Sequence, residues 1–76
     1  MLMGTQEVIL RQVRPISFHG QRFLDLVYSP LDEPETLRTG RAPFEEVYAE
    51  PRPGDHAILH FLMGAVTKVE RGAHAS

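Results

Sequence analysis

Residues 22–28 read RFLDLVY, Arg22 through Tyr28. Leu24, Leu26 and Tyr28 share one parity, and Phe23, Asp25 and Val27 share the other. That is the two-residue period of a β-strand with two distinct faces. His19-Gly20-Gln21 stands just before it, and Gly20 can supply the positive φ of a tight turn. Further back, residues 6–18, QEVILRQVRPISF, read as a partner strand. Val8, Ile9 and Leu10 favour β structure, and Ile16 and Phe18 share a parity. The two runs predict an antiparallel hairpin about His19-Gly20. Pro15 cannot donate to a ladder, so the first strand is predicted to be an edge, or to bulge at Arg14-Pro15.

Beyond Tyr28 the alternation stops. Residues 29–43, SPLDEPETLRTGRAP, hold three prolines and one glycine. They read as a long connection, with one helical turn at 34–38 closed by Gly40 at C′. Residues 44–50, FEEVYAE, place apolar side chains at i, i+3 and i+4 behind Pro43, which favours a short helix over a strand. Pro53-Gly54 fits the centre of a type II turn. Residues 56–63, HAILHFLM, then predict a strand with Ala57, Leu59, Phe61 and Met63 on one face. His56, Ile58, His60 and Leu62 take the other. Gly64 allows a turn or bulge. Residues 65–71, AVTKVER, predict a last strand with Val66, Lys68 and Glu70 opposite Ala65, Thr67 and Val69. Four to five short strands with Gly and Pro turns, and one short helix, predict a mainly β fold. Its form is expected to be a small antiparallel SH3-like or OB-like barrel, or a curled sheet. The chain of 76 residues is expected to be one domain, with 6–71 as the ordered core and 1–4 and 72–76 frayed.

Around the strand predicted over 56–63, residues 53–61, PGDHAILHF, resemble the turn and strand near the end of the small hydrogenase-maturation chaperones, which are barrels of this size. That family also uses an amino-terminal cysteine. This chain has no cysteine, and the family's function is not carried over.

The missing cysteine excludes disulfide scaffolds, thiol nucleophiles, thiolate zinc sites and iron–sulfur clusters. A net charge of −2 opposes a strongly cationic nucleic-acid binder. No apolar run approaches a membrane span. Residues 1–4 carry no secretory pattern, so a cytoplasmic location without membrane partners is expected. Charge is uneven along the chain. Residues 1–22 carry Glu7 against Arg11, Arg14 and Arg22. Residues 23–50 carry seven acids against Arg38 and Arg41. The acidic middle is either a solvated face or half of a surface that docks head to tail.

Reactive constellations are poor. His56 and His60 have the i, i+4 spacing of a helical zinc pair, but on a strand they lie about 13 Å apart, too far for one ion. They could serve only in separate sites or with ligands from another chain. Ser17, His19 and Asp25 lack the oxyanion hole and the oriented base of a triad. Asp32-Glu33 and Glu45-Glu46 are neighbours on polar faces, not carboxylates across a cleft. No phosphate-binding glycine pattern is present. Neither an enzyme nor a cofactor or metal is expected.

What remains is surplus apolar surface. Phe23 and Val27 oppose Leu24 and Leu26, while Ile58 and Leu62 oppose Leu59 and Phe61. A small barrel has one inside, so the second face needs a loop, a helix or another chain. The expected function is a protein–protein interaction module that pairs with itself or another protein. Its contact would use Phe23, Val27, Ile58 and Leu62, rimmed by Arg22 and His60. The alternative is a single-stranded nucleic-acid binder using Arg11, Arg14, Phe18, Arg22 and Tyr28 on the first hairpin.

Overall fold

The computed structural model describes residues 3–72. Five strands form one antiparallel sheet: β1 (Met3–Phe18), β2 (Gln21–Pro30), β3 (Arg38–Pro43), β4 (His56–Leu62) and β5 (Ala65–Arg71). Their order across the sheet is β3-β2-β1-β4-β5. Residues 1, 2 and 73–76, where fraying was expected, lie outside the described residues. Met3 and Gly4 belong to β1, and the Gly72 amide donates to His56 O at 2.8 Å, so the ordered sheet reaches further than 6–71.

The predicted hairpin forms at His19-Gly20, where both residues have positive φ, 54° and 78°. Two such residues are what a type I′ turn requires. Met63-Gly64 repeats the arrangement between β4 and β5, with φ of 54° and 86°. Pro53-Gly54 makes the predicted type II turn: the Asp55 amide donates to Arg52 O at 3.1 Å, and Gly54 has φ +95°.

β1 serves two neighbours in turn. Met3–Ile9 pairs with β4, and Val8–Phe18 pairs with β2. At Leu10 the 54–55 turn takes over from β4: Leu10 N donates to Asp55 O, and Gly54 N donates to Leu10 O. Beyond that point β1 is an edge. Phe18 and Gln21 close a two-residue turn as a hydrogen-bonded pair, and bonded pairs alternate from there. Pro15, opposite Leu24, is therefore at a non-bonded position and costs the ladder nothing. The expected bulge at Arg14-Pro15 lies instead at Arg11, between Leu10 and Gln12.

The strand Arg38–Pro43 occupies part of the stretch read as a loop with a helical turn. Its core-facing residues are only Gly40 and Ala42, opposite Leu26 and Leu24. Gly40 is mid-strand, not a helix cap. The helix expected over 44–50 reduces to one 3-10 turn, Phe44–Glu46. Val47 then bridges Val69 of β5, and Tyr48 N donates to Val69 O at 3.2 Å, which packs both side chains, partly buried, against the core.

The core fills the inside of the curled sheet with Val8, Leu10, Leu24, Leu26, Tyr28, Ala42, Ala57, Leu59, Val66 and Val69. A second bulge, at Thr67, shifts the parity of β5. Val66 and Val69 therefore both face inward, opposite Phe61 and Leu59, and the predicted alternation over 65–71 fails. β3 and β5 share no ladder, so the sheet is curled but not closed into a barrel. They still meet through side chains: a Cβ on Gly40 would lie 3.1 Å from Val66 Cγ2. Among the described residues no helix is long and apolar enough to cross a membrane.

Candidate interaction surface

Opposite the core, the sheet turns outward a row of side chains that no second layer of the described residues covers. All five strands belong to the one sheet, and the described residues contain a single turn of helix. On this outer face Ile9, Ile16, Phe23, Val27 and Ile58 are only partly buried. Leu62 is 43% exposed.

Of the residues predicted for a protein contact, Phe23, Val27, Ile58, His60 and Leu62 share the outer face, but not as one patch. Phe23 stands opposite Ile16 of β1, and Leu62 stands opposite Met3, so most of β1 separates them. Arg22 is not on this face. Its parity matches Leu24, and its guanidinium lies 4.1 Å from the centre of the exposed Phe44 ring at the hairpin end, a cation–π contact. His60 shares a 2.8 Å hydrogen bond with Glu70, which Lys68 also approaches at 3.5 Å. These partners, His60 first, hold the Glu70 carboxyl below its ordinary range. Ile58 and Leu62 thus flank a polar cluster.

Two residues of the nucleic-acid alternative are already engaged within the fold. Tyr28 is 4% exposed and packs in the core opposite Leu10, so its ring cannot stack on a base. Burial raises its phenol pKa. Arg11 is engaged within the chain, donating from Nε to Ser29 Oγ and from Nη2 to Pro34 O, both at 3.1 Å. Phe18 is 59% exposed, with its ring edge-on to His19 at 4.3 Å. Ser17, His19 and Asp25 do not form a triad, because the Asp25 carboxylate is taken by Arg41.

A concavity on the outer face crosses β1, β2 and β3. It has a volume of about 500 Å³ and is lined by Gln12, Arg14, Asp25, Leu26, Val27, Thr39, Gly40 and Arg41. Arg41 binds Asp25 from Nε at 2.7 Å and from Nη2 at 3.4 Å, a two-pronged contact across neighbouring strands. That hydrogen bond, helped by the charges of Arg41 and Arg14, keeps Asp25 ionised to lower pH than usual. Arg14 sits opposite Asp25 on the other side but forms no hydrogen bond or ion pair within the described residues. One carboxylate between two guanidiniums leaves the groove with a net positive charge.

Sequence reasoning missed Thr39 and Arg41 because it missed β3. The available signal was the alternation of Thr39 and Arg41 with small Gly40 and Ala42, which fits a strand lying on large neighbours. Among the described residues no group of three or more His, Asp or Glu side chains is placed to hold a metal ion. No protein-family model matches the chain, and comparisons with curated proteins and with solved structures found no match.

Proposed function

We propose that this chain is a non-catalytic module that works by protein contact, first of all with a second copy of itself. The observation that carries this reading is the outer sheet face: partly exposed Ile9, Ile16, Phe23, Val27 and Ile58, with no second layer over them among the described residues. A sheet in a domain is ordinarily hydrophobic on the face that another layer buries. A core built from ten buried apolar side chains, without disulfides, also leaves little stability in reserve. Association would supply what one copy lacks. A cytoplasmic setting fits the same picture, because secreted domains of this size usually depend on disulfides.

The finer fold reading is a partly open barrel of OB-like connectivity. The order β3-β2-β1-β4-β5 and the approach of Val66 to Gly40 support it. That connectivity is the specific ground for a second reading, single-stranded nucleic-acid binding, since such barrels use the face of strands 2 and 3. Arg14, unpaired among the described residues, and exposed Phe18 favour it, while buried Tyr28, tied Arg11 and the net charge of −2 weigh against it.

Size-exclusion chromatography with light scattering tests the first reading. The expected mass at about 100 µM, a concentration that populates weak dimers, is above the 8.6 kDa of one chain and falls on dilution. A constant 8.6 kDa across the range would refute self-association.

A further inference from the structure

We infer that the groove across β1, β2 and β3 receives the acidic segment 32–37 of a second copy. The inference rests on the self-association reading and names its contact. The groove offers two guanidiniums, Arg14 and Arg41, on either side of Asp25, with partly exposed Val27 and the polar Gln12 and Thr39 in the adjacent row. Arg41 is half spent on Asp25, but Arg14 keeps all its donors free of the described residues. An anionic side chain is the natural partner for such a site.

The segment DEPETL, Asp32–Leu37, has the complementary chemistry. Asp32, Glu33 and Glu35 are all exposed, and among the described residues only Glu33 has a cationic partner, Arg38 at 3.6 Å. No ion pair joins the segment to Arg14 or Arg41 of the same chain. Leu37 at its end is 66% exposed. The segment therefore presents carboxylates for the guanidiniums and an aliphatic side chain for Val27.

It is also held in shape before any partner arrives. Leu31 N donates to Glu7 O, Thr36 N donates to Glu33 O, and Arg11 grips Pro34 O. A preorganised segment loses little freedom on docking. Because the segment joins β2 to β3 and the groove lies on those same strands, one two-fold axis can seat each copy's segment in the other's groove. Such an exchange closes on itself as a dimer and needs no filament.

Charge reversal tests the contact, read as the dimer dissociation constant by sedimentation. All the altered residues are exposed, and circular dichroism confirms that each variant keeps its strands. Arg14→Glu and Glu35→Arg should each weaken the dimer about tenfold, because the contact occurs twice in a symmetric dimer. The double variant Arg14→Glu/Glu35→Arg should recover to within about threefold of the parent. A dimer indifferent to these changes, or a double variant no better than its parents, overturns this inference alone and leaves self-association standing. A chain that stays monomeric throughout overturns both. Preferential shifting of the Gln12, Arg14 and Thr39 amide signals by oligo(dT), with an unperturbed dimer in the charge variants, reassigns the groove to nucleic acid and also overturns it.

Discussion

Replacing Tyr48 by Phe isolates one hydrogen bond that fastens the loop between the 3-10 turn and β4. The Tyr48 hydroxyl donates to Asp55 Oδ2 at 2.7 Å, and the same oxygen accepts the Arg52 amide at 3.1 Å. Phenylalanine keeps the ring, its packing on the core and its contact with Arg71, whose guanidinium lies 4.6 Å from the ring centre. Only the hydroxyl is lost. Hydrogen bonds to charged groups contribute about 1.5–3 kcal/mol, and a part-buried one belongs near the lower end. We expect Tyr48→Phe to cost about 1.5 kcal/mol at neutral pH, or a fall of about 6–12 °C in Tm at the usual sensitivity for a domain of this size. The pH dependence is a sharper check. The Tyr48 hydroxyl is the largest cause of the lowered Asp55 pKa, followed by the Arg52 amide and the charges of Arg71 and Arg52. A carboxylate with a depressed folded pKa contributes stability that is fully present above its unfolded value, about 3.9, and is lost as pH falls through the folded value. The gap between parent and variant should therefore be full at pH 7 and shrink below about pH 4. Thermal melts by circular dichroism at both pH values, at equal protein concentration, read it directly. A variant within about 0.3 kcal/mol of the parent at pH 7, or a gap unchanged in acid, would refute the assigned role of this bond.

Gly40→Val tests the approach of β3 to β5. A Cβ there would lie 3.1 Å from Val66 Cγ2 and 3.5 Å from Tyr28 Cε1, so overpacking should cost about 1–3 kcal/mol. Val66→Ala should suppress part of that cost in the double variant; strict additivity in urea denaturation would mean that the two strands do not pack. Met63→Asn removes a large exposed side chain from a left-handed position, φ 54°, next to Gly64. Asn-Gly is favoured in such turns, so a gain of about 0.5–1 kcal/mol is expected, and a loss in thermal stability would contradict the turn assignment.

How much of this fold was legible turns on where alternation survives. β2 reads cleanly because Leu24, Leu26 and Tyr28 face the core without interruption and Phe23, Asp25 and Val27 face out. The two type I′ turns read well because each supplies a glycine at the position that needs it. β3 was hidden because its core face asks for small residues: Gly40 and Ala42 let β5 and the Tyr28 ring come close, and a strand without large apolar residues looks like a loop. Parity failed in β1 and β5 for one shared reason. Val8 and Leu10 lie inside but so does Val13, and Val66 lies inside but so does Val69. A spacing of three between inward residues, Leu10 to Val13 and Val66 to Val69, is the mark of a bulge, and it was present in both strands. The candidate groove was half legible. Arg14 was singled out from the hairpin, whereas Arg41 and Thr39 depended on the strand that was missed.

The bulge at Arg11 ties the core to the surface. Without the extra residue, the parity of Val8 and Leu10 would continue through Gln12 and Arg14, and both would be driven inward while Val13 turned out. Burying an unpaired guanidinium is untenable, so the extra residue is what allows β1 to run past Leu10 at all. With it, Val13 packs inside opposite Leu26, and Gln12 and Arg14 emerge beside Asp25 to form one wall of the groove. The bulged residue itself is not wasted. Arg11 turns across the outer face to Ser29 and Pro34, fixing the acidic segment that begins two residues beyond β2. One inserted residue therefore completes the core, exposes Arg14 and holds the carboxylates we assign to its partner copy. Changes at Arg11 should then be felt in stability and in association together, whereas changes at Arg14 should be felt in association alone.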